Sequence, residues 1–215
     1  MEKKSMAEQA YALIKEKILF GGLQFGDELD QKALAKTLGF NSVTPIREAL
    51  ILLQKDHFVD ILPRKGVRVS EISITDVIEN YQVREIIEPV VFSATALDVP
   101  GDVVSRYIEY YSNLASAAEK FDYKQYLISD MEFHLALLQP LNNGLVMSLL
   151  QNIYEQDARY RLASMLKRSS SEMLEEHLNI LRALQDRDAN AAVEALKTHL
   201  YNSKQAFFTG GYQFL

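Results

Sequence analysis

Leu38-Gly39-Phe40-Asn41-Ser42-Val43-Thr44-Pro45-Ile46-Arg47-Glu48-Ala49-Leu50-Ile51-Leu52-Leu53 is the stretch on which the reading of the first third of the chain turns. Thr44 followed by Pro45 reads as an N-cap with proline at the first helical position, where the missing N–H is one the helix leaves unpaired anyway. Ile46, Ala49, Leu50 and Leu53 then recur at helical spacing as one apolar stripe. Upstream, Asp30 caps a short helix that turns Leu34, Ala35 and Leu38 inward, and Gly39 stops it. Helix, short turn, helix is a helix-turn-helix pattern. Further out, Ala7, Tyr11, Ile14 and Ile18 mark an amphipathic helix over 6–19, closed by Gly21-Gly22. On the other side, 58–62 and 67–69 alternate as β-strands around Pro63-Arg64-Lys65-Gly66, a turn with two adjacent cations at its tip.

Three helices followed by a basic-tipped hairpin predict a winged helix. Such a unit lays its third helix in the major groove while the wing reaches phosphates or the minor groove. Arg47 falls on the polar side of that helix near its start, and Lys32 opens the second helix, where a backbone phosphate is the natural target. The bland alternative is a small helical domain whose lysines and arginines are merely solvated.

The composition bounds the rest. The chain has 215 residues, 48% hydrophobic and 24% charged, which is the ordinary globular range and excludes a disordered or low-complexity chain. With no cysteine, a disulfide scaffold, a thiolate nucleophile, a Cys-based zinc finger and iron–sulfur ligation are all excluded. No apolar run approaches ~18 residues, so no membrane span is expected. Met1 to Gln9 has no apolar segment after its basic residues, so no secretory signal is readable and a cytoplasmic location is expected. The net charge of −6 is unevenly divided: 1–70 holds 11 Lys and Arg against 9 Asp and Glu, whereas 71–215 holds 12 against 20. That split points to two modules, only the first of which tolerates a polyanion.

Beyond residue 73 no stretch reads as strand. Turn signals at Pro100-Gly101, Phe121-Asp122, Pro140 to Gly144, Ser169 to Ser171 and Asp186 to Asn190 divide the chain into helices over 75–98, 102–120, 123–139, 144–168, 171–186 and 189–208. The expected fold class is therefore mainly α: a winged helix-turn-helix over 1–72, then an all-α antiparallel bundle of about six helices over 73–215.

Three of the four histidines fall in the bundle. Asp130 and His134 are one turn apart on one helical face. His177 and His199 are each 11 residues from Asp188, which puts them level on the two arms of a helical hairpin. Three imidazoles and a carboxylate suit a divalent transition metal (zinc, nickel, manganese or iron) with open positions for water or an organic acid. The alternative is that each histidine caps, packs or faces water on its own. Arg84 shares one helix face with Tyr81 and Glu88; it reads either as a fork for a carboxylate or as the partner of Glu88 in a surface salt bridge.

Several of these motifs occur together in a known family. Ile18-x2-Gly21-x-Leu23-x2-Gly26-x2-Leu29, Leu34-Ala35-x2-Leu38-Gly39, Thr44-Pro45-Ile46-Arg47-Glu48-Ala49-Leu50 and Pro63-Arg64-x-Gly66-x2-Val69 resemble the GntR family of bacterial transcription regulators. Val83-Arg84-Glu85-x2-Glu88-Pro89, Asp130-x2-Phe133-His134, His177-x2-Ile180 and Ala195-x3-His199-Leu200 resemble the FCD effector domain of its FadR-type branch. The resemblance implies a homodimeric transcription regulator, usually a repressor, on a palindromic double-stranded DNA operator, controlled by a small organic acid and without a membrane partner. It implies DNA contacts from Lys32, Ser42, Thr44, Arg47 and Gly66, with Arg64 and Lys65 beside Gly66 at the wing tip. It implies metal binding by Asp130, His134, His177 and His199, with zinc as the first expectation. Arg84, Tyr81, Asn143 and Tyr154 become candidates for effector contact.

One departure stands out. Members of the family commonly carry arginine immediately before the threonine of this turn; here the turn is one residue longer and Val43 occupies that place. Valine lacks the bidentate guanine contact, a difference of about 1–3 kcal/mol in discrimination at that base pair. Two further readings of the Asp/His3 set are a metal sensor and a metalloenzyme that activates water.

Overall fold

The structure, a computed structural model, describes residues 4–116, 122–165 and 169–209. The expected helix ends at 120 and 168, and Phe121, lie outside these. The chain divides into two compact units, Met1–Ser73 and Ile74–Leu215.

In the first unit, α1 (Met6–Leu19) opens with a capping box: Ser5 Oγ accepts from Glu8 N, and the Glu8 carboxylate accepts from Ser5 N at 2.7 Å. Its buried stripe is Ala10, Ile14 and Ile18, with Leu19; Tyr11 sits half-buried at the edge, bonded to Asp56. That stripe packs on α3 (Thr44–Lys55), which buries Ile46, Ala49, Leu50 and Leu53. Each fully buried Ile or Leu contributes about 1.5–3 kcal/mol, so this pair of helices is the unit's core. Between them lies α2 (Gln31–Thr37), capped as expected by Asp30, whose carboxylate accepts from Lys32 N and Ala33 N.

One expectation shifts at α3. Thr44 is the first helical residue, not the cap; Val43 occupies the cap position without a side-chain hydrogen bond, and its carbonyl accepts from Arg47 N at 3.0 Å.

The wing is an antiparallel pair, β1 (Val59–Leu62) and β2 (Gly66–Val69), with Val59 opposite Val69 and Leu62 opposite Gly66. Lys65 N donates to Leu62 O, closing a turn with Pro63 at its second position and Arg64 at φ 64 in its third. A third segment joins the ladder: Glu28 bridges to Arg68, and Leu29 N and Val69 N bond Val67 O and Asp27 O. No alternation announced this pairing, because only one residue bridges.

Among the described residues the second unit is helical: α4 (Ile74–Thr95), α5 (Gly101–Ser116), α6 (Tyr123–Leu138), α7 (Gly144–Met165), α8 (Ser170–Gln185) and α9 (Ala189–Thr209). Short 3-10 turns follow α4 at Ala96–Asp98 and α6 at Gln139–Leu141. Asp122 caps α6 through Lys124 N and Gln125 N, and the Asp188 carboxylate accepts from Ala191 N at the start of α9. The close packing of α8 on α9, α5 on α8 and α4 on α9 leaves an interior into which α4, α6, α7, α8 and α9 all project polar side chains.

Candidate metal centre and nucleic-acid interface

Asp130 and His134 from α6, His177 from α8 and His199 from α9 meet in that interior, each no more than 1% exposed. Their candidate ligand atoms all lie within 4.8 Å of one another. Opposite ligands of one ion at about 2.0–2.2 Å stand about 4.4 Å apart, so the four atoms lie close to the spacing that a single ion needs.

Each imidazole is held from behind. His134 Nδ1 lies 2.9 Å from Glu88 Oε2, His199 Nδ1 lies 3.0 Å from Glu176 Oε2, and His177 Nδ1 lies 2.8 Å from the Met173 carbonyl. These three partners accept, so each ring donates from Nδ1 and, as the neutral imidazole, turns its Nε2 lone pair inward; Tyr126 Oη is a further neighbour of His177 Nδ1 at 3.2 Å. Such outer partners are what orient metal-binding histidines. The inward atoms are poorly satisfied by one another. His134 Nε2 faces His199 Nε2 at 3.2 Å, and His177 Nε2 lies 3.0 Å from Asp130 Oδ1 without the alignment of a hydrogen bond. The donor set fits a divalent transition ion.

The charges around this centre form a network. Arg161 on α7 grips both oxygens of Asp130 and also reaches Asp157 at 3.2 Å. Asp157 accepts from Arg84 Nη1 at 2.7 Å, and Arg84 Nε donates to Glu88 Oε1 at 2.7 Å. Burial alone would raise the Asp130 carboxyl; Arg161, with His177 and His134, overcomes it and holds the group well below the usual carboxylate range. Burial likewise opposes ionisation of Glu88, yet Arg84 and His134 bring it down to about 2. His199 moves down to about 3, chiefly through burial and then through the neighbouring His177.

The Arg84 salt bridge to Glu88 is thus present but fully buried, contrary to the surface reading. Tyr81 and Tyr154 flank the guanidinium, with ring centroids 5.5 and 5.0 Å from Cζ, and Tyr154 also lies 5.5 Å from the His134 ring. Arg84 Nη2 is buried with no hydrogen-bond partner among the described residues. Asn143 is not brought to this cluster. It is exposed and its Oδ1 accepts from Leu145 N and Val146 N at the start of α7, the capping role for which asparagine is well suited.

Glu176, Asp157 and Arg161 were not singled out from the sequence, and Glu88 only as a partner of Arg84. A signal existed on α7: Tyr154, Asp157 and Arg161 follow i, i+3, i+7 spacing, which is that of a core stripe, so two charges stand where apolar residues belong.

In the first unit Lys32, Ser42, Thr44, Arg47, Arg64, Lys65 and Gly66 are all exposed. Arg47 projects near the start of α3, and its Nε donates to Gln31 Oε1 at 3.2 Å. His57, with φ 61, is exposed at the turn before β1.

A winged helix-turn-helix joined in one chain to a helical unit with a buried Asp/His3 cluster is the build of a transcription regulator. The comparisons with known proteins make this specific. Residues 6–69 match the family of bacterial regulatory proteins of the gntR type, and residues 79–202, more than half the chain, match the FCD domain. The chain belongs to this family: it is a gntR-type transcriptional regulator with an FCD domain. It is 28% identical over 195 residues to the HTH-type transcriptional repressor RspR of Escherichia coli K12, covering 90% of this chain and 85% of that one. It is 26% identical over 201 residues to the repressor GlaR of the same organism, with 88% and 90% covered. E. coli McbR/YncC shares the fold at a TM-score of 0.82 and 21% identity over 96% of this chain and 99% of that one. These families are of regulators and not of enzymes, so the metalloenzyme reading is set aside. No described helix is long and apolar enough to cross a membrane.

Proposed function

We propose that this regulator is a repressor that binds a palindromic operator as a homodimer in the cytoplasm and responds to a small organic acid held in a metal-containing helical domain. Residues 1–72 take the DNA; residues 73–215 take the metal, the acid and the second subunit. The observation that carries the reading is the set of three imidazoles, each pinned at Nδ1 and aimed inward at Nε2, beside an ionised Asp130.

Asp130, His134, His177 and His199 would hold the ion, which would supply a positive centre for an anionic ligand; zinc suits the set first, then nickel, manganese or iron. Arg84 offers its unmet Nη2 to a carboxylate, with the Tyr81 and Tyr154 rings against the guanidinium. Lys32, Ser42, Thr44, Arg47 and the wing tip at Arg64, Lys65 and Gly66 contact the operator, with phosphate contacts fixing register and α3 reading bases. The acid acts only by favouring one dimer geometry over another.

The test is selection from fragmented genomic DNA by the purified, metal-loaded protein. Enrichment of a recurring palindrome supports the reading. Failure to enrich any site at low and moderate salt sinks it.

A further inference from the structure

One buried carboxylate behind the candidate ligands touches both parts of the proposed site. Glu88 divides its oxygens: Oε1 accepts from Arg84 Nε at 2.7 Å, and Oε2 faces His134 Nδ1 at 2.9 Å. Arg84 commits Nη1 to Asp157 at 2.7 Å and keeps Nη2 buried without a partner. A guanidinium only donates, so Oε1 must accept. The second oxygen of the same carboxylate also only accepts, so His134 donates from Nδ1 and carries its lone pair on Nε2. That is the atom 3.2 Å from His199 Nε2, inside the cluster.

Resting on the metal-and-acid reading above, we infer that Glu88 is a positioning residue that joins the two functions. It sets the His134 tautomer a metal requires, and it fixes the Arg84 guanidinium in the pose that leaves Nη2 for an anion. The second connection between Arg84 and the centre runs through Asp157 and Arg161 to Asp130. That route ends on a carboxylate, which has no tautomer to choose; it can fix geometry but not select a ligand atom. Glu88 does both.

Glu88→Gln keeps the size of the side chain and breaks this logic. An amide has one acceptor oxygen and one donor NH2. If the oxygen stays with Arg84, the NH2 faces His134 Nδ1 and drives the proton to Nε2, the atom needed for the metal. In a zinc titration against a competing chelator, the variant should lose about 10–100-fold in affinity, the range for a lost outer partner of a metal-binding histidine. Nitrogen NMR of metal-free, histidine-labelled protein should show His134 protonated at Nδ1 in the wild type and at Nε2 in the variant. Loss of zinc affinity with the tautomer switched and the helical signal retained supports the assignment. Unchanged zinc affinity in Glu88→Gln overturns this inference alone. Wild-type protein that takes up no divalent ion overturns the metal reading together with it. Should the variant fail to fold, the wild-type spectrum decides: His134 protonated at Nε2 refutes the role of Glu88.

Discussion

His134 and His199 stand Nε2 to Nε2 across 3.2 Å, each with its Nδ1 held by a glutamate carboxylate, Glu88 for one and Glu176 for the other. Two neutral rings so pinned would meet lone pair to lone pair, and a cation between the ligand atoms would turn that repulsion into two bonds. Metal should therefore stabilise the fold. At a free concentration about 100 times Kd the gain is about 2.7 kcal/mol. For a protein of this size that is roughly 5–10 °C in melting temperature. Thermal scans with zinc, then with excess chelator, check it; a melting point indifferent to both contradicts the metal reading.

Removing two of the four ligand side chains should abolish stable binding. In His177→Ala/His199→Ala, elemental analysis after gel filtration should find no stoichiometric metal, whereas the first unit keeps its fold. The same variant should no longer change its operator affinity in response to any acid that acts on the wild type. Full metal occupancy in the double variant would mean that the ion sits elsewhere.

Acid should weaken the metal-free protein in a defined order. His199 is buried neutral, with its ionisation moved from the ordinary 6.5 down to about 3. Between those values the unfolded chain binds a proton that the folded one does not, so this stability is complete above 6.5 and is lost as pH falls. By pH 5 the loss is about 2 kcal/mol. Glu88, lowered from 4.5 to about 2, adds a loss of the same sign only below 4.5. Urea unfolding at pH 7 and pH 5 should show the first step in the wild type, reduced in His199→Asn; equal slopes in both would contradict it.

At the DNA end, Arg47→Ala removes an exposed guanidinium steadied by Gln31 near the start of α3. Operator affinity should fall by about 1–3 kcal/mol, roughly 5–150-fold, with relaxed preference at one base pair. Metal content and subunit association should stay as in the wild type. Retained affinity and preference in a gel-shift series would displace α3 from its reading role.

The wing offers a separation of stability from binding. Arg64 holds φ 64, a conformation that costs an L-residue about 1–2 kcal/mol and glycine nothing, although glycine returns part of the gain as chain entropy. Arg64→Gly should therefore melt at or slightly above the wild type. If Arg64 meets a phosphate, the variant should also bind the operator more weakly, with a salt dependence smaller by about one ion. An unchanged salt slope would show that the wing tip does not touch the backbone.

Helix positions were legible because the chain marks its own stops with Gly39, Pro100-Gly101, Asp122 and Asp188, whose effects are local. The convergence of the Asp/His3 cluster was legible for the same reason: one helical turn separates Asp130 from His134, and one hairpin relates His177 to His199. Glu176 escaped because it looks like any exposed acid on α8. Arg84 and Asp157 are 73 residues apart, and no local periodicity relates them. Asn143 was read toward the cavity although Asn142-Asn143-Gly144 already had the chemistry of a helix start. At α3 the cap falls on Val43 and not on Thr44, a one-residue displacement of the kind that pattern alone resolves poorly.

From the Arg84 guanidinium two hydrogen-bonded arms run to the cluster, one through Glu88 to His134 and the other through Asp157 and Arg161 to Asp130, a circuit that only an ion between the two ends would close. Any one of these residues, exchanged by itself, breaks at least one buried hydrogen bond of the set. A lineage leaving this chemistry would therefore pass through weakened intermediates unless several positions changed together. Descendants that have lost the histidines should have lost Glu88 and the Asp157–Arg161 pair as well, so the circuit is inherited or discarded as a block.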